Sequence, residues 1–212
     1  MTILSAALAA AALAAGGATI AADARGEWRL VYVFKPLALL LLIALAATAP
    51  TAAPAAYRTF VLAGLGLSLA GDAFLMLRRK MFEAGLAAFL AAHLCYIGAF
   101  RTDTLPRFAV QPAFPLVIIA GLILRVLLPH LGRMKFPVLL YVLVITAMAA
   151  MAAARFIQWG GEKPLFAFAG GVLFMASDSV LAYDRFVKPV RRAQTIILGT
   201  YFVAQALIAL SV

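Results

Sequence analysis

Cysteine, histidine and acidic residues are all scarce in this chain, and each scarcity excludes a class of protein. The single Cys95 excludes an internal disulfide and any multi-cysteine metal site. Of the two histidines, only His93 falls in an apolar run, so no histidine cluster points to a metal. Asp and Glu together number 8, and all charged residues make up 12% of the 212 residues. A soluble domain is about a quarter charged and about half apolar. No Gly-Lys-Ser/Thr phosphate loop, dinucleotide fingerprint or nucleophile elbow occurs. What is abundant is apolar: 66% of residues, with a mean hydropathy of +1.05. Such a composition cannot supply a hydrated surface for a globule of this length, and it excludes a disordered chain and a disulfide scaffold. The surface must face lipid.

A membrane span needs roughly 20 mostly apolar residues. Eight segments qualify: 3–22, 30–49, 57–77, 82–100, 112–128, 135–154, 164–183 and 192–212. The expected fold is therefore all-α, a polytopic membrane bundle of eight transmembrane helices in a single integral membrane domain over 1–212. The connections are short, hold most of the charge, and contain Pro50, Pro54, Pro106, Pro129 and Pro189. No room remains for a separate soluble domain, so any chemistry belongs in the bundle or at its mouth. The first segment is Ala-rich and could be read as a cleaved signal, but it lacks a basic leader and its apolar run is long, which favours a retained helix.

Lys and Arg number 18, giving a formal net charge of +10. In a membrane protein this excess sets orientation and meets anionic headgroups rather than nucleic acid. One side carries Arg25, Arg29, Arg78, Arg79, Lys80, Arg133, Lys135, Arg185, Lys188, Arg191 and Arg192. The other carries Arg58, Arg101, Arg107, Arg155 and Lys163. The richer side is expected to be cytoplasmic, with both termini non-cytoplasmic. The Ala-rich chain with short loops suggests a bacterial inner membrane.

Charges inside spans cost at least a few kcal/mol and are usually paired or functional. Lys35, Asp72 and Asp178 are the clearest cases. Each lies six or seven residues from a basic boundary residue (Arg29, Arg78 and Arg185), so all three sit roughly 9–11 Å inside the same face. One reading is a structural ion pair between Lys35 and one Asp. A second carboxyl then remains. Two neighbouring carboxyls in a low-dielectric site do not ionise together readily, and one acid beside one carboxylate is what acid–base hydrolysis requires. Asp184, Glu83, Glu162, Asp23, Glu27 and Asp103 read as loop or boundary charges. Arg125, near a helix end, can snorkel to headgroups or bind a phosphate.

Other polar side chains belong to the same volume. His93 and Tyr96 are three apart and share a face, as do Tyr201 and Gln205, four apart. Either pair can hydrogen-bond between helices or meet a substrate. Gly64, Gly66 and Gly71 before Asp72, and Gly170 and Gly171 before Ser177, allow close helix approach. The run Gly71-Asp72-Ala73-Phe74-Leu75 also parallels Ser177-Asp178-Ser179-Val180-Leu181, 106 residues on, so the chain could be two parallel four-helix repeats.

These residues resemble the YhhN family of membrane proteins, which includes the lysoplasmalogenases. The markers are Lys35-Pro36, Gly71-Asp72-Ala73-Phe74-Leu75, His93 with Tyr96, Ser177-Asp178-Ser179-Val180-Leu181-Ala182, and Thr200-Tyr201 with Gln205. Their order and placement span essentially the whole chain. Where family members often carry Asn before the basic residue that follows the second Asp motif, this chain has Asp184. The resemblance implies hydrolysis of the vinyl ether bond of lysoplasmalogens to fatty aldehyde and glycerophosphoethanolamine or glycerophosphocholine. It places the two family aspartates on Asp72 and Asp178. Lys35, His93, Tyr96, Ser177, Tyr201, Gln205 and Arg125 are then the supporting or substrate-contacting candidates. The implied partner is a single-chain ether phospholipid, with no metal or cofactor. A small proton-coupled transporter built on Lys35, Asp72 and Asp178 is the competing class.

Overall fold

The computed structural model describes residues 2–50, 53–77 and 81–212. Arg78, Arg79 and Lys80, used above in assigning the basic face, lie outside the described residues. The described residues form eight helices long and apolar enough to cross a membrane. They are α1 (Ile3–Ala24), α2 (Trp28–Thr48), α3 (Ala55–Leu77), α4 (Phe82–Arg101), α5 (Val110–Leu127), α6 (Lys135–Trp159), α7 (Glu162–Phe186) and α8 (Ala193–Leu210). Each follows from an uninterrupted apolar run, because backbone groups in lipid must be satisfied within their own segment. The ends carry the expected punctuation. Thr2 caps α1 by accepting from the Ser5 amide at 3.1 Å, and Gly160 and Gly161 adopt positive φ between α6 and α7.

Seven helices form a closed ring in the order α1, α2, α3, α4, α6, α7, α8, and back to α1. The eighth, α5, lies outside it, mainly against α6. The corresponding helix of the first half, α1, packs against both α2 and α8, which also meet each other directly. On α5 only Leu116, Ala120 and Leu127 are buried, whereas Phe114, Ile118 and Leu122 are exposed. Outward-facing apolar residues also occur on the other helices, Leu40, Leu94 and Leu143 among them. A surface of that kind is stable only against lipid.

Small residues bring the helices together where the sequence placed them. A Cβ on Gly71 would meet the Phe89 ring at 2.7 Å, and one on Gly170 would meet the Ala204 carbonyl at 2.9 Å. These glycines therefore lock α3 onto α4 and α7 onto α8.

Helices run past the expected boundaries: α7 extends to Phe186 and includes Asp184 and Arg185, and the larger departure is in α6. The sixth span was expected to end near residue 154, with Arg155 in a loop, but α6 continues to Trp159 and Arg155 is buried. The reason is a polar knot. Arg155 pairs with Asp103 at 3.0 Å and stacks over the Tyr57 ring, 4.3 Å from its centroid. The Asp103 carbonyl accepts from Gln158 and Trp159 at 3.1 and 2.8 Å. Asp103 is thus no free loop charge. It neutralises an arginine and ties the loop after α4 to the end of α6.

Candidate active site

At the opposite end of the bundle, five helices contribute polar groups to one chamber. Early in α2, Lys35 precedes Pro36, which lies inside the helix. Proline has no N–H, so the carbonyl four residues back, at Tyr32, loses its helical donor. Near the end of α3, Gly71 lets Phe89 close against the backbone, and the next residue, Asp72, is buried. The Lys35 ammonium lies 2.9 Å from Asp72 Oδ1. From α8, the Tyr201 hydroxyl donates to Asp72 Oδ2 at 2.8 Å. Both oxygens of Asp72 therefore have partners, and one of those partners carries a full positive charge.

Asp178 on α7 is differently furnished. Its Oδ2 accepts from the Tyr141 hydroxyl of α6 at 2.5 Å, and among the described residues no cation forms an ion pair with it. Asp72 and Asp178 line the same cavity of about 420 Å³, together with Lys35, Tyr201 and Ser177. Its mouth carries Asp23, Asp184, Arg185 and Gln194, and its walls include Trp28, Tyr32, Leu75 and Phe89. Two carboxyls from separate helices thus face one volume, one charge-compensated and one not. This arrangement can hold a proton on one carboxyl beside a persistent carboxylate, the elements of general acid–base chemistry.

The structure brings together Lys35, Asp72, Ser177, Asp178 and Tyr201 from among the candidate residues. Ser177 borders the cavity, but its hydroxyl is committed to the Ile197 carbonyl at 3.1 Å. His93, Tyr96 and Gln205 stand behind the wall rather than on it. His93 is fully buried between the rings of Phe174 and Tyr141, at 4.6 and 5.2 Å. The Tyr96 hydroxyl donates to Gln205 Oε1 at 2.7 Å, which joins α4 to α8. Arg125 is exposed on α5 and does not border the cavity.

Three participants escaped the sequence reading. Tyr141 was legible only as a lone hydroxyl in the apolar stretch Leu139-Leu140-Tyr141-Val142. Arg185 was assigned to a loop, yet it reaches the cavity mouth and lies 4.8 Å from the Phe82 ring. Asp184, read as a boundary charge, also has a structural task. Its Oδ1 accepts from the Val190 amide at 2.8 Å and shapes the turn into α8.

The model of the YhhN family matches residues 30–212. The bovine protein named lysoplasmalogenase TMEM86A is 37% identical over 164 residues, covering 74% of this chain and 66% of its own. Human lysoplasmalogenase TMEM86B is 38% identical over 158 residues, covering 73% and 64%. The chain therefore spans a little under two thirds of the length of these mammalian relatives. The membrane protein YhhN of Escherichia coli O157:H7 is 30% identical over 193 residues, covering 91% of this chain and 92% of its own. No solved structure matches. The chain belongs to the YhhN family.

Proposed function

We propose that this YhhN-family protein is a membrane-embedded hydrolase that cleaves the vinyl ether bond of lysoplasmalogens. The products are a fatty aldehyde and glycerophosphoethanolamine or glycerophosphocholine. The observation that carries the reading is the unequal carboxyl pair facing one cavity: Asp72 is bound to Lys35, whereas among the described residues no cation forms an ion pair with Asp178. The names of the mammalian relatives support the substrate class.

Vinyl ethers hydrolyse through protonation of the carbon beta to oxygen. Lys35 favours the ionised form of Asp72, so Asp178 is the group that carries the proton. Asp178 delivers it to the beta carbon, and the adjacent carbon becomes an oxocarbenium ion beside two carboxylates. Such a cation is what paired carboxylates stabilise in glycoside hydrolysis. Water adds to the oxocarbenium carbon and gives its proton to Asp72. The resulting hemiacetal returns its hydroxyl proton to Asp178, while Asp72 protonates the departing glycerol oxygen. The C–O bond breaks, aldehyde and alcohol are released, and both carboxyls regain their starting states. Tyr141 and Tyr201 hold the two acids in place, and Arg185 at the mouth is placed to meet the phosphate.

The excess of basic residues at that end of the bundle supports a reading with the cavity mouth on the cytoplasmic face and both termini on the other, in a single domain of a bacterial inner membrane. Purified protein is expected to release aldehyde from lysoplasmalogen and nothing from an ester lysophospholipid. Asp72→Asn and Asp178→Asn should each lower release by about a hundredfold or more. Wild-type rates in folded variants would sink the paired-carboxyl mechanism. Uptake into sealed vesicles without product would favour the carrier instead.

A further inference from the structure

A second, narrower space adjoins the cavity that holds both acids. A narrow slot of about 50 Å³ opens beside Asp178 and shares Leu75, Phe82 and Phe89 with the polar chamber. Asp72 borders the chamber only, whereas Asp178 borders both spaces. Apart from Asp178, Tyr141 and Ser179, the slot is lined by apolar side chains, Ile145 and Met175 among them. The two hydroxyls are already committed: that of Tyr141 donates to Asp178 and that of Ser179 donates to the Met175 carbonyl at 2.6 Å.

The slot does not end in the core. Ile123, Leu127 and Ser179 line it and also line a groove of about 410 Å³ on the outer side of α5 and α7. Val126 and Ile196, exposed to the bilayer side, belong to that groove. The seam between slot and groove is closed by α5, the helix outside the ring. Size decides what can happen there. A slot of about 50 Å³ holds only a few water-sized groups at about 10–15 Å³ each. A long aliphatic chain cannot finish inside it and must continue outward.

We propose that the seam between α5 and α7, bounded by Ile123, Leu127 and Ser179, is the lateral passage by which the aliphatic chain of a single-chain lipid reaches Asp178 from the bilayer. The chain stays threaded there during the reaction. The inference rests on the hydrolase reading and deepens it. With the chain in the slot and the phosphate in the polar chamber, the order of atoms along the lipid puts the beta carbon, on the chain side of the oxygen, next to Asp178. The glycerol oxygen falls on the Asp72 side. Asp178, which pairs with no cation among the described residues, is then also the acid nearest the carbon to be protonated.

Wild-type protein in phosphatidylcholine vesicles is irradiated with a saturated-ether lysophosphoethanolamine bearing a diazirine in mid-chain. That probe cannot be hydrolysed, so labelling does not depend on turnover. Adducts are expected on α5 and α7 around Ile123, Leu127 and Ser179, and excess lysoplasmalogen should suppress them. Adducts at Val31, Tyr32 or Met76 would mean entry through the polar mouth and would overturn the passage. Seam adducts that substrate does not suppress would mean a resident bilayer lipid and overturn it equally. In the Ile123→Trp variant, the kcat/KM ratio of a long-chain over a four-carbon vinyl ether should fall about tenfold. An unchanged ratio in a folded variant would also overturn the passage. If wild-type protein turns over no vinyl ether at all, the hydrolase reading fails, and the labelling still decides the seam.

Discussion

Two largely buried ion pairs stand at opposite ends of this bundle, each with one buried and one half-buried partner, and they are built to different purposes. In the Asp103–Arg155 knot every acceptor of the acid is occupied. Arg155 Nε and the Thr104 hydroxyl reach Oδ1, Arg155 reaches Oδ2, and Gln158 and Trp159 reach the carbonyl. The aromatic face of Tyr57 covers the guanidinium, and the Tyr57 hydroxyl is bonded to Ser211 at 2.7 Å. At the Lys35–Asp72 end the pair is equally close, but a second acid stands beside it over a cavity of about 420 Å³. A buried charge by itself therefore says little about function. What separates the two ends is whether an acid is left with chemistry to perform and a space in which to perform it.

The contrast can be broken most decisively at Asp178. Asp178→Asn removes the proton donor and should lower aldehyde release by about 10²–10⁴-fold while the thermal transition stays near wild type. At the knot the signs reverse. Arg155→Met leaves a half-buried Asp103 without its cation, which should cost on the order of 2–3 kcal/mol of stability, measured by denaturant unfolding in detergent micelles. The protein that remains folded should keep its turnover number.

Double substitutions sharpen the difference. Asp103→Asn with Arg155→Met removes both charges and should recover much of the lost stability with activity intact. Lys35→Met with Asp72→Asn should likewise recover stability relative to Lys35→Met alone, yet remain inactive. If that second pair restored turnover, the Lys35–Asp72 bridge would be as structural as the knot. The smallest effect is expected from Tyr141→Phe. It deletes one hydrogen bond to Asp178, of the order of 1 kcal/mol, so kcat should fall tenfold or less with little change in KM. A loss as large as that of Asp178→Asn would make Tyr141 a participant in the proton transfers.

Much of this was legible in the chain. Eight apolar runs, the lipid-facing surface and the close approaches at Gly71 and Gly170 follow from composition and local pattern. So does the depth shared by Lys35, Asp72 and Asp178, because a helix converts residue number into distance along its axis. Tyr141 was not legible: one hydroxyl in an apolar span carries no signal until the facing helix supplies its acceptor. Arg155 misled for a related reason. A cation near a span end normally marks a boundary, and only Asp103 and Tyr57, distant in sequence, make its burial tolerable.

By itself, then, the order of residues determined which segments cross the membrane and which ionisable groups lie inside them, since both depend on transfer of single side chains out of water. Tertiary structure decided the rest: that Lys35 takes Asp72 and leaves Asp178, that His93 stands behind the wall, and that α5 falls outside the ring. Those outcomes depend on the rotation of each helix about its axis and on which neighbour it meets. Packing between remote segments sets both, and no periodicity within a single span encodes them.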